Sequence, residues 1–225
     1  MRMNPIRSMW LGLVAVMGIV GSLGVTACSK SSAEPRALVE PAAAVEAAAE
    51  VGKAAPGFTL KDLTGADVSL ASFLGKTVVL EWFNPDCPFV VRTHNEGPLK
   101  TMAADVAKDG VVWLAVNSGA PGKQGAGLER NKAALAEYNL AHPVLLDESG
   151  AVGKLYNARN TPGMYVIDAA GVLAYAGAID NAPRGTAPEE GYRNHVSEAL
   201  ADLAAKRPVR VAETKQYGCG VKYAQ

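Results

Sequence analysis

The sequence has no surplus of charge of either sign: 22 Lys and Arg balance 22 Asp and Glu over 225 residues. Nucleic-acid binding needs a basic excess to neutralise phosphates, so that class of partner is excluded. Cysteine is scarce, with only Cys28, Cys87 and Cys219. Three is odd, so one thiol is left over if two pair. No two of them stand in Cys-x-x-Cys spacing, and a Cys-x-x-x-Cys copper-type pair would need a cysteine where Val91 stands. His94, His142 and His195 are scattered, without His-x-x-His or His-Glu-x-x-His spacing, so no metal is implied. Gly75-Lys76-Thr77 resembles the end of a phosphate loop, but Leu70 occupies the place of its first glycine. Gly125 and Gly127 lack the third glycine and the strand-before, helix-after context of a dinucleotide site. No cofactor is therefore implied. Long disordered tracts are excluded over most of the chain by 49% hydrophobic against 20% charged residues. One domain of roughly 150–180 residues plus extensions fits this length. A domain of that size buries a core without cross-links, so the cysteines are not needed for folding.

The N-terminus has the pattern of a secretory leader. Arg2 and Arg7 precede an apolar run from Trp10 to Val20, and small residues lead to Cys28. Val25-Thr26-Ala27-Cys28 resembles the lipobox of bacterial lipoproteins. That resemblance implies a signal peptide at 1–27, a lipidated Cys28, membrane attachment through the lipid and an extracytoplasmic place in the bacterial cell envelope. Met9 to Cys28 is also uncharged and long enough to act as an uncleaved anchor. Either way the remainder lies outside the cytoplasm. Residues 28–50 then hold the lipidated cysteine and a Ser-, Pro-, Ala- and Glu-rich tether with too little apolar surface to pack alone.

From residue 51 onward strand and helix patterns alternate. A short strand is expected at Phe58-Thr59-Leu60 and a turn from Asp62 to Asp67. Apolar runs predict strands at 76–83, 111–117 and 142–146. Helical patterns predict helices from Pro88 to about Lys108, interrupted near Gly97-Pro98, and over 128–138, 149–156 and 189–206, the last with Tyr192, Val196, Leu200 and Leu203 at helical spacing. Two further strands, 164–168 and 172–176, read as a hairpin around Ala169-Ala170-Gly171. Such alternation implies an α/β fold with a mainly parallel sheet, made mixed by the antiparallel pair at the end: a central mixed sheet flanked by helices.

Cys87 stands where a buried strand breaks at Asn84-Pro85-Asp86 and a helix begins. Pro88 suits the first helical position, which has no use for an N–H. A thiol there meets the positive end of the helix dipole and free N–H groups, which favour thiolate, while Asp86 opposes them. The position alone also suits a core cysteine acting as a small hydrophobe.

The stretches Phe58-Thr59-Leu60, Val68-Ser69-Leu70, Gly75-Lys76 through Cys87, and Ala158 to Asp168 resemble the redoxin branch of thioredoxin-like proteins. That branch includes the alkyl hydroperoxide reductase/thiol-specific antioxidant group. The resemblance spans about 51–206 and implies a thioredoxin-like fold. It implies a cis bond at Thr161-Pro162, with Thr161 presenting a main-chain edge to an extended substrate beside Cys87; an ordinary trans proline in a turn is the alternative. It matches Glu81, six residues before Cys87, to a buried acid that accepts a proton from a thiol if its pKa is raised; a structural pairing with a lysine is the alternative. Arg159 matches an arginine that favours thiolate, and equally suits the surface.

The departures are informative. Val90 stands where Cys-x-x-Cys needs its second cysteine. Leu80 and Asn84 stand where the peroxiredoxin signature has Pro and Thr. In the tail at 207–225, Cys219 is flanked by Gly218 and Gly220, so a flexible backbone is expected. Together with the Trp82–Val90 segment, this tail resembles a redoxin subgroup with one cysteine in each motif, which implies Cys219 as the resolving thiol. The implied activity is thiol–disulfide exchange or peroxide reduction, on a disulfide-bearing protein or a peroxide, with an external thiol donor. The competing expectation is a non-catalytic, lipid-anchored binding module with a permanent Cys87–Cys219 disulfide.

Overall fold

The computed structural model of the protein describes residues 47–224. The expected leader, Cys28 and most of the tether lie outside the described residues. Strand β1 (Thr59–Asp62) turns back through Gly65 into β2 (Asp67–Ser69). The turn is fixed by the Asp62 carboxylate, which accepts from the N–H groups of Thr64 and Ala66. β3 (Val78–Trp82) is buried along its whole length, which explains its unbroken apolar run. After it come α1 (Pro88–Asn95), α2 (Met102–Ala107), β4 (Val112–Asn117), α3 (Leu128–Glu137), β5 (Val144–Leu146) and α4 (Ala151–Leu155). The chain then forms β6 (Asn160–Thr161), β7 (Gly163–Ile167), β8 (Leu173–Gly177), α5 (His195–Ala204) and β9 (Cys219–Gly220).

The main sheet runs β2-β1-β5-β4-β3-β7-β8. β3, β4 and β5 are parallel, whereas β1, β2, β7 and β8 are antiparallel to their neighbours, so the sheet is mixed as expected but not mainly parallel. Alternation along β3 divides the core. Val78, Leu80 and Trp82 pack on one face with Tyr156, Tyr165 and Ile167. Val79 turns to the other face, toward Trp113, Met164, Val196 and Ala199, and Phe83 lies there with Val90, Ala134 and Tyr138. α1, α3 and α5 thus cover one side and α4 the other.

The helical stretch expected from Pro88 to about Lys108 is interrupted where expected, as two helices with a 3-10 turn at Pro98–Lys100 between them. Gly97 closes against the Thr93 backbone, where any Cβ would collide, and Pro98 has no N–H to carry the helix on. The last helix starts at His195, not at Glu189. Its N-cap is Asn194, whose Oδ1 accepts from the Ser197 N–H at 2.9 Å, and Gly191 ends a turn on Pro188 before it. Tyr192, assigned to the apolar helix face, is instead 52% exposed.

The tail is docked, not loose. β9 pairs antiparallel with β6, with Thr161 opposite Cys219 and Asn160 opposite Gly220. On either side of it, Gln216 donates to the Tyr165 hydroxyl at 3.0 Å and Tyr223 donates to the Ala158 carbonyl at 2.7 Å. Gly218, read as a source of freedom, serves close approach instead: it has φ +116° and lies directly against the Thr161 carbonyl.

Candidate active site

Cys87 is the N-cap of α1, with Pro88 at the first helical position, as its sequence context predicts. Its approach segment is built by side chains outside that motif. Asn84 Oδ1 accepts from the Asp86 N–H at 2.9 Å, and the Tyr138 hydroxyl donates to the Pro85 carbonyl at 2.6 Å. Arg130 on α3 donates to Asp86 at 2.7 Å and lies 3.1 Å from Glu137. The carboxylate that would oppose a thiolate is therefore matched by a guanidinium.

The chain brings its two described cysteines together. Their sulfurs are 2.7 Å apart, and both are free thiols. That is longer than the roughly 2.05 Å of a disulfide, and close enough for the bond to form with little movement. Cys87 Sγ also lies 3.1 Å from the Thr161 carbonyl oxygen. The Thr161–Pro162 bond is cis, as the resemblance implies. Cys87 is fully buried, whereas Cys219 is half-buried.

The two thiols differ in acidity. Burial alone pushes Cys87 up, but hydrogen bonds from Cys219, Thr161 and the N–H groups of Val90 and Cys219 outweigh it and hold the thiol below its ordinary value. Burial pushes Cys219 up, and its contact with Cys87 pushes it further, against a smaller pull from Lys222. Cys87 is therefore the more acidic thiol of the pair and Cys219 the less acidic one.

Glu81 is buried, but not in the way expected of a thiol's base. Burial pushes its carboxyl up; the charge and hydrogen bond of His94, helped by His142 and the Trp113 N–H, reverse this and hold it below the usual glutamate value. His94 Nε2 is 2.8 Å from Oε1 and Trp113 Nε1 donates to Oε2 at 3.1 Å. The condition for Glu81 as a thiol's base, a raised pKa, is thus not met; the carboxyl is lowered by a buried pairing, with a histidine in place of the lysine. His94 escaped notice because no spacing rule links it to Glu81; α1 lays it over β3, seven residues after Cys87.

Arg159 is also placed differently. Its exposed side chain donates through Nε to Asn157 at 3.1 Å, while its main-chain oxygen accepts from Val221 at 3.0 Å. It receives the tail through its backbone, and its guanidinium is turned to Asn157. The structure brings together Cys87, Cys219, Thr161 and Pro162. Arg130, Asn84 and His94 are the supporting residues that motif reading missed.

The AhpC/TSA family model matches residues 51–176, which include Cys87 and the Thr161-Pro162 pair and stop before the tail. The thioredoxin-like protein YneN of Bacillus subtilis is 31% identical over 123 residues, which are 54% of this chain and 68% of that protein. A hypothetical protein from Sinorhizobium meliloti of known structure is similar with a TM-score of 0.67 at 26% identity, over 80% of this chain and 97% of its own. An uncharacterized conserved protein from Geobacillus kaustophilus gives 0.69 at 28% identity, over 78% and 93%. A putative thiol:disulfide interchange protein from Chlorobium tepidum, at 23% identity and a TM-score of 0.53 over 71% and 98%, shares the fold.

Proposed function

We propose, given that this chain belongs to the AhpC/TSA family, that it is a thiol–disulfide oxidoreductase with Cys87 as nucleophile and Cys219 of the same chain as resolving thiol. The observation that carries this reading is the 2.7 Å approach of the two sulfurs, one of them at a helix N-terminus. The Cys87 thiolate attacks one sulfur of a partner disulfide. That S–S bond breaks, a mixed disulfide forms, and the second partner sulfur leaves as a thiolate that takes up a proton. Deprotonated Cys219 then attacks Cys87 Sγ and expels the other partner sulfur. The partner has gained two electrons and the protein holds a Cys87–Cys219 disulfide, which an external dithiol reduces.

Thr161 offers the main-chain edge on which an extended partner segment rests. Arg130 balances Asp86 beside the nucleophile. The lipobox-like Val25–Cys28 supports a lipid-anchored place at the cell envelope, where disulfide-bearing proteins are at hand. Peroxide reduction is the less supported chemistry. Asn84 replaces the hydroxyl residue of the peroxidase signature, and its amide is committed to the Gln124 carbonyl and the Asp86 N–H.

The test is turnover of a disulfide-bearing protein, and separately of hydrogen peroxide, with a dithiol donor. Wild type is expected to reduce the disulfide. Cys87→Ser is expected to be inactive, and Cys219→Ser to accumulate a mixed disulfide. If Cys87 is captured neither by a partner nor by an alkylating probe in unfolded-free samples, the pair is a structural feature and the enzyme reading is lost.

A further inference from the structure

The segment that carries Cys219 occupies the edge a foreign strand would use. Beyond the Thr161–Cys219 and Asn160–Gly220 pairings, Asn160 Nδ2 donates to the Gly218 carbonyl at 3.0 Å, and the Val221 N–H donates to the Arg159 carbonyl at 3.0 Å. With this segment seated, Cys87 has no exposed surface. A polypeptide that aims its own cysteine at Cys87 must take the place of Gly218-Cys219-Gly220.

The two glycines in that seat are not equivalent. A Cβ at Gly218 would overlap the Thr161 carbonyl oxygen and crowd its carbon and the Pro162 nitrogen, and φ there is +116°. These are main-chain atoms and cannot swing aside. A Cβ at Gly220 would meet nothing nearer than the Arg159 carbonyl oxygen at 4.0 Å, an ordinary contact. The seat therefore reads the residue before the cysteine and tolerates change after it.

The grip on the tail lies away from the sulfurs. The Tyr223 ring fills a slot against α4 where Gly150 and Gly153 leave no room for a Cβ, and its hydroxyl reaches Ala158. Tyr217, on the other side of the cysteine, donates to the buried Asp180 at 2.7 Å. Being covalently attached, the tail competes at a high effective concentration with any free strand.

We propose that the Thr161 edge selects partner strands whose cysteine is preceded by glycine, and that residues 216–223 are a built-in copy of such a strand, which a partner displaces to reach Cys87. This rests on the oxidoreductase reading above. The partner class is an extended protein segment bearing a Gly-Cys disulfide, bound by strand addition. The tail leaves when the partner binds. Its return brings Cys219 back to Cys87 Sγ and expels the reduced partner from the edge.

The experiment uses the full chain with Cys28 and Cys219 both changed to Ser, so that Cys87 is the only thiol. The probes are the peptide Lys-Gln-Tyr-Gly-Cys-Gly-Val and a version with Ala before its cysteine. Each carries its cysteine as a mixed disulfide with 5-thio-2-nitrobenzoate, whose coloured thiolate is released by attack. The small symmetric disulfide of the same thiol is the third probe. The glycine peptide is expected to react about tenfold faster than the alanine peptide, because a clash with backbone is not relieved by rotation. Adding Tyr223→Ala, or Gly218→Ala if the first variant fails to fold, is expected to raise the rate with all three probes severalfold by unseating the tail. Equal rates for the two peptides overturn the selection. Rates unmoved by both tail variants overturn the displacement. Silence of Cys87 toward all three probes in a folded, tail-released variant sinks the oxidoreductase reading and this inference with it; the other failures leave that reading standing.

Discussion

Glu81 Oε1 and His94 Nε2 meet at 2.8 Å inside the core, with neither side chain more than 1% exposed. A buried carboxylate is tolerated only when its partners replace water, and here His94 and the Trp113 N–H do so. His94→Leu removes the main partner and leaves the carboxylate stranded. The expected cost is about 3 kcal/mol or more, measured by urea denaturation. The pH dependence has a definite sign. The folded Glu81 carboxyl sits below its unfolded value of 4.5, so its contribution is complete above that pH and is lost as pH falls through the folded value. His142 is also held below its unfolded value of 6.5, mainly by burial, so acid below 6.5 protonates the unfolded state preferentially and lowers stability there. Wild type is expected to lose stability in both windows on acidification, and His142→Gln to lose part of the upper decline, His195 being held below 6.5 by burial as well. A flat stability from pH 7 to pH 4 would contradict both assignments.

The cap of α5 offers a change that spares the chemistry. Asn194 Oδ1 accepts from the Ser197 N–H at 2.9 Å at the helix start. Asn194→Ala is expected to cost about 1 kcal/mol in denaturant midpoint analysis. Cys87 alkylation should remain at the wild-type rate, since the cap touches neither cysteine. A loss of alkylation without a loss of stability would show that α5 is coupled to the site.

The acidity of Cys87 depends on its partner thiol more than on the helix alone. The hydrogen bond from Cys219 comes first among the interactions that lower Cys87 against burial. Cys219→Ala removes it, so the Cys87 titration followed by ultraviolet thiolate absorbance should move to higher pH. Cys219→Ser keeps a donor in the same place and should move it less. If the two variants titrate identically, the donor role of Cys219 is wrong and the helix terminus sets the acidity by itself.

The sheet and the strand–helix junction at Cys87 were legible because each rests on local signals. The apolar run of β3 and the break at Asn84-Pro85 before Pro88 mark a buried strand meeting a helix, and the structure has both. Cys219 was identifiable as a partner only through resemblance, because 132 residues separate it from Cys87. Its docking was misread for a physical reason. Glycine signals freedom in an unfolded chain, yet at 218 it is needed for contact with the Thr161 carbonyl, and sequence does not separate these two uses. Glu81 stood out as a charge in an apolar strand, but the sign of its shift depended on His94 and His142, which only tertiary packing brings near. Tyr192 fitted a helical stripe, and the turn at Gly191 followed by the Asn194 cap cut that stripe short.

Arg130 and Asp86 supply a test of how the site manages its own negative charge. Asp86 immediately precedes Cys87, and Arg130 Nε holds its Oδ1 at 2.7 Å. The pair is only partly exposed, at 29% and 34%, so its contribution to stability should stay within about 1 kcal/mol. Its effect on the thiol should be larger, because an unpaired carboxylate beside a sulfur disfavours the thiolate. Arg130→Met keeps the length of the side chain and removes the charge. The expected result is a Cys87 titration displaced to higher pH and a slower reaction with an uncharged alkylating reagent at neutral pH, with the unfolding midpoint little changed. The double change Arg130→Met with Asp86→Asn should restore the wild-type titration, since removing both charges returns the site to balance. Should the single change leave reactivity intact, Arg130 serves only to hold the Pro85-Asp86 turn in place, and the electrostatic assignment is withdrawn.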